Sequence, residues 1–214
     1  MSVAVYEDSL RGNAAVVVRY RDGRTLPLDV ERWQGPARGA DESMLGRVTG
    51  SALDIGCGPG RLVAALAARG VAALGIDIAP AAVGLTRRAG GQALQLSVFD
   101  DIPRAGQWDV AVLADGNIGI GGDPLRLLRR AAELLSPTGR VLVELDPPHS
   151  GARSDQVRLE DAEGNAGAWF RWAHVAADAI GPLAAKAGLR VLEEWTAPDQ
   201  PTPISRWFAA LARA

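Results

Sequence analysis

The sequence predicts an α/β protein with a mostly parallel sheet. Three observations carry this prediction. Short apolar runs that suit buried strands alternate with helical patterns from residue 48 to residue 146. A glycine-rich turn joins the first of these strands to the helix that follows it. The fourth apolar run, residues 108–114, is nearly continuous, as expected for a parallel strand that is covered on both faces.

Length and composition limit the class of protein. The chain has 214 residues and a formal net charge of −2, which offers no general attraction for nucleic acid or an anionic membrane. The single cysteine, Cys57, cannot form an internal disulfide, and no apolar segment reaches the length of a membrane span. We therefore expect a cytoplasmic protein, with an N-terminal hairpin and cap helix (1–47) before one compact domain (48–214).

The glycine-rich turn lies in residues 51–61, Ser-Ala-Leu-Asp-Ile-Gly-Cys-Gly-Pro-Gly-Arg. Such glycines let the backbone approach a ligand closely, and the free N–H groups of the following helix point at it. The spacing G-x-G-x-G differs from the G-x-G-x-x-G of dinucleotide sites, and a P-loop motif is absent from the sequence. Asp54, just before the glycines, would repel a pyrophosphate and suit an ammonium group.

A second acidic residue ends the next strand. The run 71–77 terminates in Asp77, 17 residues after Gly60, which places this carboxylate at the tip of the strand beside the glycine turn. A carboxylate there can accept both hydrogen bonds of a ribose diol. The third strand, predicted over residues 93–99, is followed by Asp100 and Asp101.

The string Leu-Asp-Ile-Gly-Cys-Gly-Pro-Gly-Arg-Leu resembles motif I of the class I S-adenosylmethionine-dependent methyltransferases. The stretch Leu-Leu-Ser-Pro-Thr-Gly-Arg-Val-Leu-Val-Glu, before and within the fifth strand, is similar to the same family. The resemblance covers residues 48–146 well. It implies a Rossmann-like three-layer sandwich with a seven-stranded sheet whose last strand is antiparallel. It also implies methyl transfer from S-adenosylmethionine, with S-adenosylhomocysteine as product.

The resemblance also implies which residues bind this donor. Asp77 would hold the ribose, and an acid after the third strand would take the adenine amino group while an apolar neighbour covers the ring. Asp100 with Phe99 fits this pattern, and Asp101 fits it after a shift of one residue. The complete predicted set is Asp54, Gly56, Cys57, Gly58, Gly60, Asp77, Ile78, Phe99, Asp100, Ala114, Asp115 and Asn117.

The N-terminal segment predicts a small hairpin outside the main sheet. Asp22-Gly23 separates two extended runs within residues 14–32, and Pro27 places the second strand at an edge. The hairpin could cap the ligand site, mediate association or have no functional role. Residues 33–39 suggest a turn-rich linker, with Trp33 filling the junction between hairpin and core or lining the mouth of the site.

The chain after the fourth strand supplies the rest of the site. Residues 115–124 predict a flexible glycine-rich loop, and residues 137–140 a turn into the fifth strand. Residues 156–160 and 168–175 predict a second hairpin, whose aromatic return strand could stack an acceptor or only pack onto the sheet. The closing strands, 189–195 and 205–211, should be antiparallel because the linker at 196–203 is too short for a helical crossover.

Candidate proton acceptors are His149, His174 and Asp115, with Asp146 as a further carboxylate at the same rim. A hydroxyl acceptor would need such a base, whereas a deprotonated nitrogen or sulfur would not. We predict a small-molecule acceptor, no metal site, no nucleic-acid or membrane partner, and a monomer or homodimer. Two alternatives stay open: a donor-binding enzyme with a non-methylating activity such as cyclisation, and a non-catalytic partner subunit.

Overall fold

The structure, a computed structural model, describes residues 3–12, 15–199 and 205–214. Its strands, in chain order, are β1 (Val16–Tyr20), β2 (Thr25–Pro27), β3 (Ala52–Ile55), β4 (Ala73–Asp77), β5 (Gln92–Gln95), β6 (Trp108–Leu113), β7 (Leu135–Leu145), β8 (Ala152–Asp161), β9 (Phe170–Val175), β10 (Leu189–Pro198) and β11 (Ser205–Arg213). Its α-helices are α1 (Ala4–Leu10), α2 (Val30–Gln34), α3 (Ala40–Leu45), α4 (Arg61–Ala68), α5 (Pro80–Arg88), α6 (Pro124–Leu134) and α7 (Ile180–Lys186). In these described ranges, no helix combines the length and apolarity that crossing a membrane requires.

The central sheet has seven strands in the order β10-β11-β7-β6-β3-β4-β5 among the described residues. β3 pairs in parallel with β4 and β6, whereas β11 is antiparallel to both β7 and β10. Helices α6 and α7 pack on one face of this sheet, and α3 and α4 on the other. The predicted Rossmann-like sandwich with its antiparallel last strand is therefore confirmed. Residues 200–203 of the predicted linker lie outside the described residues.

A second, antiparallel sheet has the strand order β2-β1-β8-β9. The predicted N-terminal hairpin forms β1 and β2, apart from residue 14, which lies outside the described residues, and β2 is the edge strand as Pro27 indicated. β1 pairs with β8 so that Val18 lies opposite Leu159 and Tyr20 opposite Val157. The two predicted hairpins thus form one four-stranded sheet, which the sequence did not indicate.

The predicted linker at residues 33–39 begins inside a helix. Residues 30–34 form α2, and the Asp29 side chain caps it by accepting a 3.2 Å hydrogen bond from the amide nitrogen of Arg32. Trp33 therefore extends from a short helix, where its ring makes an edge contact with Tyr6 at a centroid distance of 6.4 Å.

Three further expectations about local structure were wrong. The third strand ends at Gln95, because the Asp100 carboxylate accepts a 2.8 Å hydrogen bond from the amide nitrogen of Ser97 and turns the chain there. The loop predicted to be flexible folds as a 3-10 segment over Asn117–Gly122. Residues 137–140 belong to β7.

The glycine at the start of α4 supplies a stability test with an internal control. Gly60 has φ +91°, and an added Cβ would lie 2.5 Å from Thr86 Oγ1 and 2.7 Å from Thr86 Cα. Gly90 has a similar φ of +88° with open space around it. We expect Gly90→Ala to cost about 1–2 kcal/mol of unfolding free energy from backbone strain alone, and Gly60→Ala about 2–5 kcal/mol because α5 must also move. Urea unfolding measures both, and equal losses would contradict this explanation.

Candidate active site

A cavity of about 720 Å³ lies at the carboxyl ends of the parallel strands, beneath the antiparallel sheet. One part of it, the loop half, is lined by the glycine loop and neighbouring strand ends, including Asp54, Gly56, Gly58, Asp77, Ile78, Phe99 and Ala114. The other part, the sheet half, is lined by the antiparallel sheet and the residue after β7, including Val18, Tyr20, Leu159, Phe170, Trp172, His174 and Asp146. Molecules bound in the two halves can therefore meet within one cavity.

The glycine loop brings backbone to the cavity wall. Gly56 and Gly58 have φ values of +74° and +55°. An added Cβ at Gly56 would lie 2.8 Å from Asn117 Nδ2, and this amide donates hydrogen bonds of 2.9 Å to the carbonyl oxygens of Ile55 and Gly56. The predicted ligand residue Asn117 lines the cavity and also clamps the loop in its bent shape.

Cys57 fills space behind the loop. Its Sγ lies 3.7 Å from Thr86 Oγ1, and an added Cβ on Gly75 would come 2.6 Å from the same sulfur. Burial, followed by the nearby charges of Asp54 and Asp77, raises the pKa of the Cys57 thiol. A protonated, tightly packed thiol supports a packing role and argues against a reactive one.

The Asp77 carboxylate is oriented by two backbone amides. Its Oδ2 accepts a 2.9 Å hydrogen bond from Gly58 N, and its Oδ1 accepts a 2.8 Å hydrogen bond from Ala79 N. Burial raises the pKa of Asp77, and these hydrogen bonds oppose that shift. Each oxygen retains acceptor capacity. Because Asp77 also lines the cavity, this geometry can receive two neighbouring hydroxyl groups.

Asp54 is a buried acid at the same wall, with only 2% of its surface exposed. Burial raises the pKa of Asp54 to about 8, and the negative charges of Asp115 and Asp77 add to this effect. Without a neighbouring cation, the Asp54 carboxyl group is therefore mainly neutral near neutral pH. A cationic ligand group beside it would restore the carboxylate.

The predicted adenine contacts divide between cavity and surface. Phe99 lines the cavity together with Ser97, and the Arg126 guanidinium carbon lies 4.0 Å from the centre of the Phe99 ring. Asp100 binds the Ser97 amide and is not among the cavity-lining residues, and Asp101 is exposed. Phe99 can thus cover a planar ring, and Ser97 supplies the nearby polar groups.

A buried ion cluster stands beside the loop half. We call it the arginine–acid cluster, and its members include Arg32, Asp41, Arg61, Asp115, Glu144 and Arg206. Arg206 is its centre, with Nη2 2.5 Å from Glu144 Oε2 and Nη1 2.7 Å from Asp41 Oδ1. Burial lowers the pKa of Arg206, but its carboxylate partners, Glu144 first, outweigh this and raise it.

Asp115, predicted both to bind the donor and to act as a base, belongs to this cluster. Its carboxylate lies 2.5 Å from Arg61 Nη2 and 3.3 Å from Arg206 Nη2. Its backbone has φ +52°, and its amide nitrogen donates a 2.6 Å hydrogen bond to Glu144. Both oxygens of this carboxylate are thus engaged by guanidinium groups. Asp115 lines the cavity, but its geometry fits the cluster better than proton transfer.

The two histidines have different surroundings. The His149 side chain is 89% exposed; its amide nitrogen donates a 3.0 Å hydrogen bond to Asp178, and its ring lies 3.3 Å from the same carboxylate. His149 is not among the cavity-lining residues. The His174 side chain is 15% exposed and lines the sheet half. Of the two histidines, His174 lies at the cavity and His149 lies at the surface.

His174 is the middle of a three-residue chain. Its Nε2 lies 3.0 Å from the hydroxyl oxygen of Tyr20, and its Nδ1 lies 3.2 Å from Oδ2 of Asp146. The three side chains come from β9, β1 and the end of β7. A histidine between a hydroxyl and a carboxylate has the arrangement of a general base with an orienting group.

Sequence reasoning missed several lining residues from the N-terminal segment, among them the tyrosines Tyr6 and Tyr20. Tyr6 lies on α1 beside the glycine loop, where burial and then the charge of Asp77 raise its pKa. The alternation of Val18 and Tyr20 along β1 was visible in the sequence, but the strand opposite was not. Trp33 packs against Tyr6 and also lines the cavity, so it has both a packing contact and a place at the site.

The fold and the cavity together define a Rossmann-like protein with a ligand-sized cavity at the carboxyl ends of its parallel strands. Residues 36–194 match the family model described as "Methyltransferase domain", and the chain belongs to this family. Its architecture is that of the class I S-adenosylmethionine-dependent methyltransferases.

Solved structures share this fold at low sequence identity. A SAM-dependent methyltransferase from Bacteroides fragilis, in complex with S-adenosylhomocysteine, is 22% identical with a TM-score of 0.79, over 99% of this chain and 93% of that one. A 1,6-didemethyltoxoflavin-N1-methyltransferase from Burkholderia thailandensis, with its acceptor and S-adenosylhomocysteine bound, is 18% identical with a TM-score of 0.62, over 99% and 88%. A sugar N-methyltransferase from Streptoalloteichus sp. ATCC 53650 is 20% identical with a TM-score of 0.57, over 81% and 85%. No curated protein matches the sequence. The predicted cofactor, S-adenosylmethionine with its product, agrees with the family and with these complexes.

Proposed function

We propose that this protein transfers a methyl group from S-adenosylmethionine to a small-molecule acceptor. The observation that carries the proposal is the single cavity, in which the loop half fits the donor and the sheet half provides a separate apolar chamber. Placing two reactants side by side and away from water is the main catalytic requirement for a reagent that is already reactive.

The residues of the loop half suit the parts of the donor. Asp54 would receive the ammonium group, whose positive charge would oppose the effect of burial on this carboxyl group. Asp77 would receive the ribose hydroxyls, and Phe99 would cover the adenine. When bound, the donor supplies an electrophilic methyl group on a sulfonium centre.

The sheet half supports a small acceptor. Strands β1, β8 and β9 line this chamber, and Trp33 also lines the cavity. Its lining is largely apolar and aromatic, and so it would orient a compact ring compound and exclude water. A folded protein or a nucleic acid would need an open approach, and the net charge of −2 offers no attraction for nucleic acid.

Calorimetric titration tests this proposal. We expect S-adenosylmethionine and S-adenosylhomocysteine to bind and NAD and ATP not to bind, because Asp54 and the short glycine loop disfavour a pyrophosphate. Release of S-adenosylhomocysteine should then follow the addition of small aromatic or hydroxylated acceptors. Purified protein without affinity for either sulfur compound would contradict the donor assignment, and turnover with macromolecular acceptors only would contradict the acceptor class.

Asp54 makes donor binding depend on pH. Burial raises the pKa of Asp54 to about 8. A ligand whose ammonium group pairs with the Asp54 carboxylate must therefore displace a proton. Affinity for S-adenosylhomocysteine should therefore rise with pH below about 8, by up to roughly tenfold per pH unit. Calorimetry near pH 7 in buffers of different ionisation enthalpy should detect about one proton released per site.

Two controls separate this effect from general titration of the protein. 5′-Methylthioadenosine lacks the amino-acid part of the ligand and should bind with almost no proton release. Asp54→Asn should bind S-adenosylhomocysteine more weakly and should also release almost no proton. Equal proton release with both ligands in the unmodified protein would exclude Asp54 as the source.

A further inference from the structure

We infer that Tyr20, His174 and Asp146 form a proton-accepting chain, and that the methyl acceptor is an apolar ring compound that reacts through a hydroxyl group. This inference rests on the proposed function and narrows its acceptor class. A hydroxyl must lose its proton as it is methylated, and the structure places a proton acceptor in the chamber where the acceptor would bind.

The hydrogen-bond pattern assigns the direction of the chain. The Asp146 carboxylate oxygen, 3.2 Å from Nδ1 of His174, favours the tautomer that carries its hydrogen on Nδ1. Nε2 then has a free lone pair and accepts the hydrogen bond of the Tyr20 hydroxyl. The Asp146 backbone is itself held on both sides, donating to Val175 O at 2.9 Å and accepting from Ala177 N at 3.0 Å. Asp146 therefore orients the imidazole.

The charged groups around His174 favour a neutral acceptor. Asp155, on β8, lies 4.0 Å from Nε2, but its carboxylate also binds Arg153 at 3.1 Å. Asp146 is occupied by the imidazole. Both nearby carboxylates thus have partners within the protein, and a cationic amine would have to compete for them. A hydroxyl can instead donate to the Tyr20 oxygen, which still has acceptor capacity.

The walls of the sheet half favour a flat, apolar ring. Phe170 and Trp172 meet edge to face at a centroid distance of 6.2 Å, and Val18 and Leu159 lie opposite each other on the same sheet face. Aromatic rings prefer such offset and edge contacts. A phenol-like acceptor would place its ring against these side chains and its hydroxyl at Tyr20.

The proposed step conserves atoms and charge. As the acceptor oxygen attacks the methyl carbon, the oxygen–carbon bond forms and the carbon–sulfur bond breaks, with its electron pair left on sulfur. The hydroxyl proton passes to the Tyr20 oxygen while the Tyr20 proton moves to Nε2 of His174. Asp146 stabilises the resulting imidazolium, which then releases the proton to solvent through its exposed edge.

Phenols of different acidity test this chain. At mildly alkaline pH 4-nitrophenol is ionised and needs no base, whereas 4-methoxyphenol is still protonated and does. We expect the unmodified protein to methylate both and His174→Gln to lower kcat for 4-methoxyphenol by about 100-fold or more. For 4-nitrophenol the loss should stay within about fivefold, since no proton has to be removed. His149→Gln, the matched histidine outside the cavity, should behave like the unmodified protein with both phenols.

Separate kinetic measurements test Asp146 and Tyr20. Asp146→Asn should lower kcat more than it raises KM, again mainly for 4-methoxyphenol. The reason is that Asp146 acts on His174 and does not bind the acceptor. Tyr20→Phe should show the same dependence on acceptor acidity. In the complex with S-adenosylhomocysteine, bound 4-nitrophenol at mildly acid pH should show more phenolate absorption in the unmodified protein than in His174→Gln.

The outcomes separate this inference from the proposed function. Intact binding of S-adenosylhomocysteine without ether formation from either phenol would overturn the inference and leave the donor site in place. Equal losses for both phenols in His174→Gln would also overturn it, because they indicate a structural role. Methylation of amines that is unaffected by His174→Gln would assign a nitrogen acceptor instead. Absence of donor binding would overturn both proposals.

Discussion

Replacement of Asp77 with alanine should weaken S-adenosylhomocysteine binding by about 100-fold or more. Two hydrogen bonds from a ribose diol to one carboxylate are worth roughly 1.5–3 kcal/mol each, and both disappear together. The carboxylate is already oriented by Gly58 N and Ala79 N, so little is lost in ordering it when the ligand binds. Calorimetric titration measures the change directly.

A double comparison separates ribose binding from loop disruption, because Asp77→Ala also leaves two backbone amides without their acceptor. An analogue of S-adenosylhomocysteine without the 2′- and 3′-hydroxyls should bind the unmodified protein weakly, and Asp77→Ala should weaken its binding little further. Asp101→Asn, at an exposed acid that follows the neighbouring strand β5, should bind like the unmodified protein. Fully additive losses would show that Asp77 acts through the loop alone.

Replacement of Arg206 with alanine should destabilise the protein by about 3–5 kcal/mol. The substitution leaves Asp41 and Glu144 buried without the cation that binds them at 2.7 and 2.5 Å. For a chain of this size the loss corresponds to a decrease in Tm of roughly 6–20 °C. Thermal unfolding followed by circular dichroism measures it.

The matched control is an arginine in a surface ion pair. Arg11 lies 3.0 Å from Asp8, but both side chains are more than half exposed. Arg11→Ala should therefore change the unfolding free energy by less than about 1 kcal/mol. If Arg206→Ala cost no more than this control, the arginine–acid cluster would not stabilise the fold to the extent that its burial indicates.

The sequence by itself determined the features that depend on near neighbours along the chain. A parallel strand covered on both faces must be a short apolar run, and a chain that turns sharply into a helix at positive φ needs glycine. These local requirements made β3, the glycine loop and α4 predictable. The positions of Asp54 and Asp77 were predictable too, because Asp54 is the next-to-last residue of β3 and Asp77 is the last residue of β4. Both hairpins were visible for the same reason.

Only the tertiary structure decided how the sheet half of the cavity is built. Tyr20 meets His174 across 154 positions of sequence, and Arg19 pairs with Glu160 across 141. Such contacts depend on which strands pair and in which register, and neither is encoded in the local alternation of side chains. The same limit explains why the sequence could not separate His174, inside the cavity, from His149, at the surface. Because the strand ladder between β1 and β8 sets these positions, the acceptor chamber is a property of the folded chain.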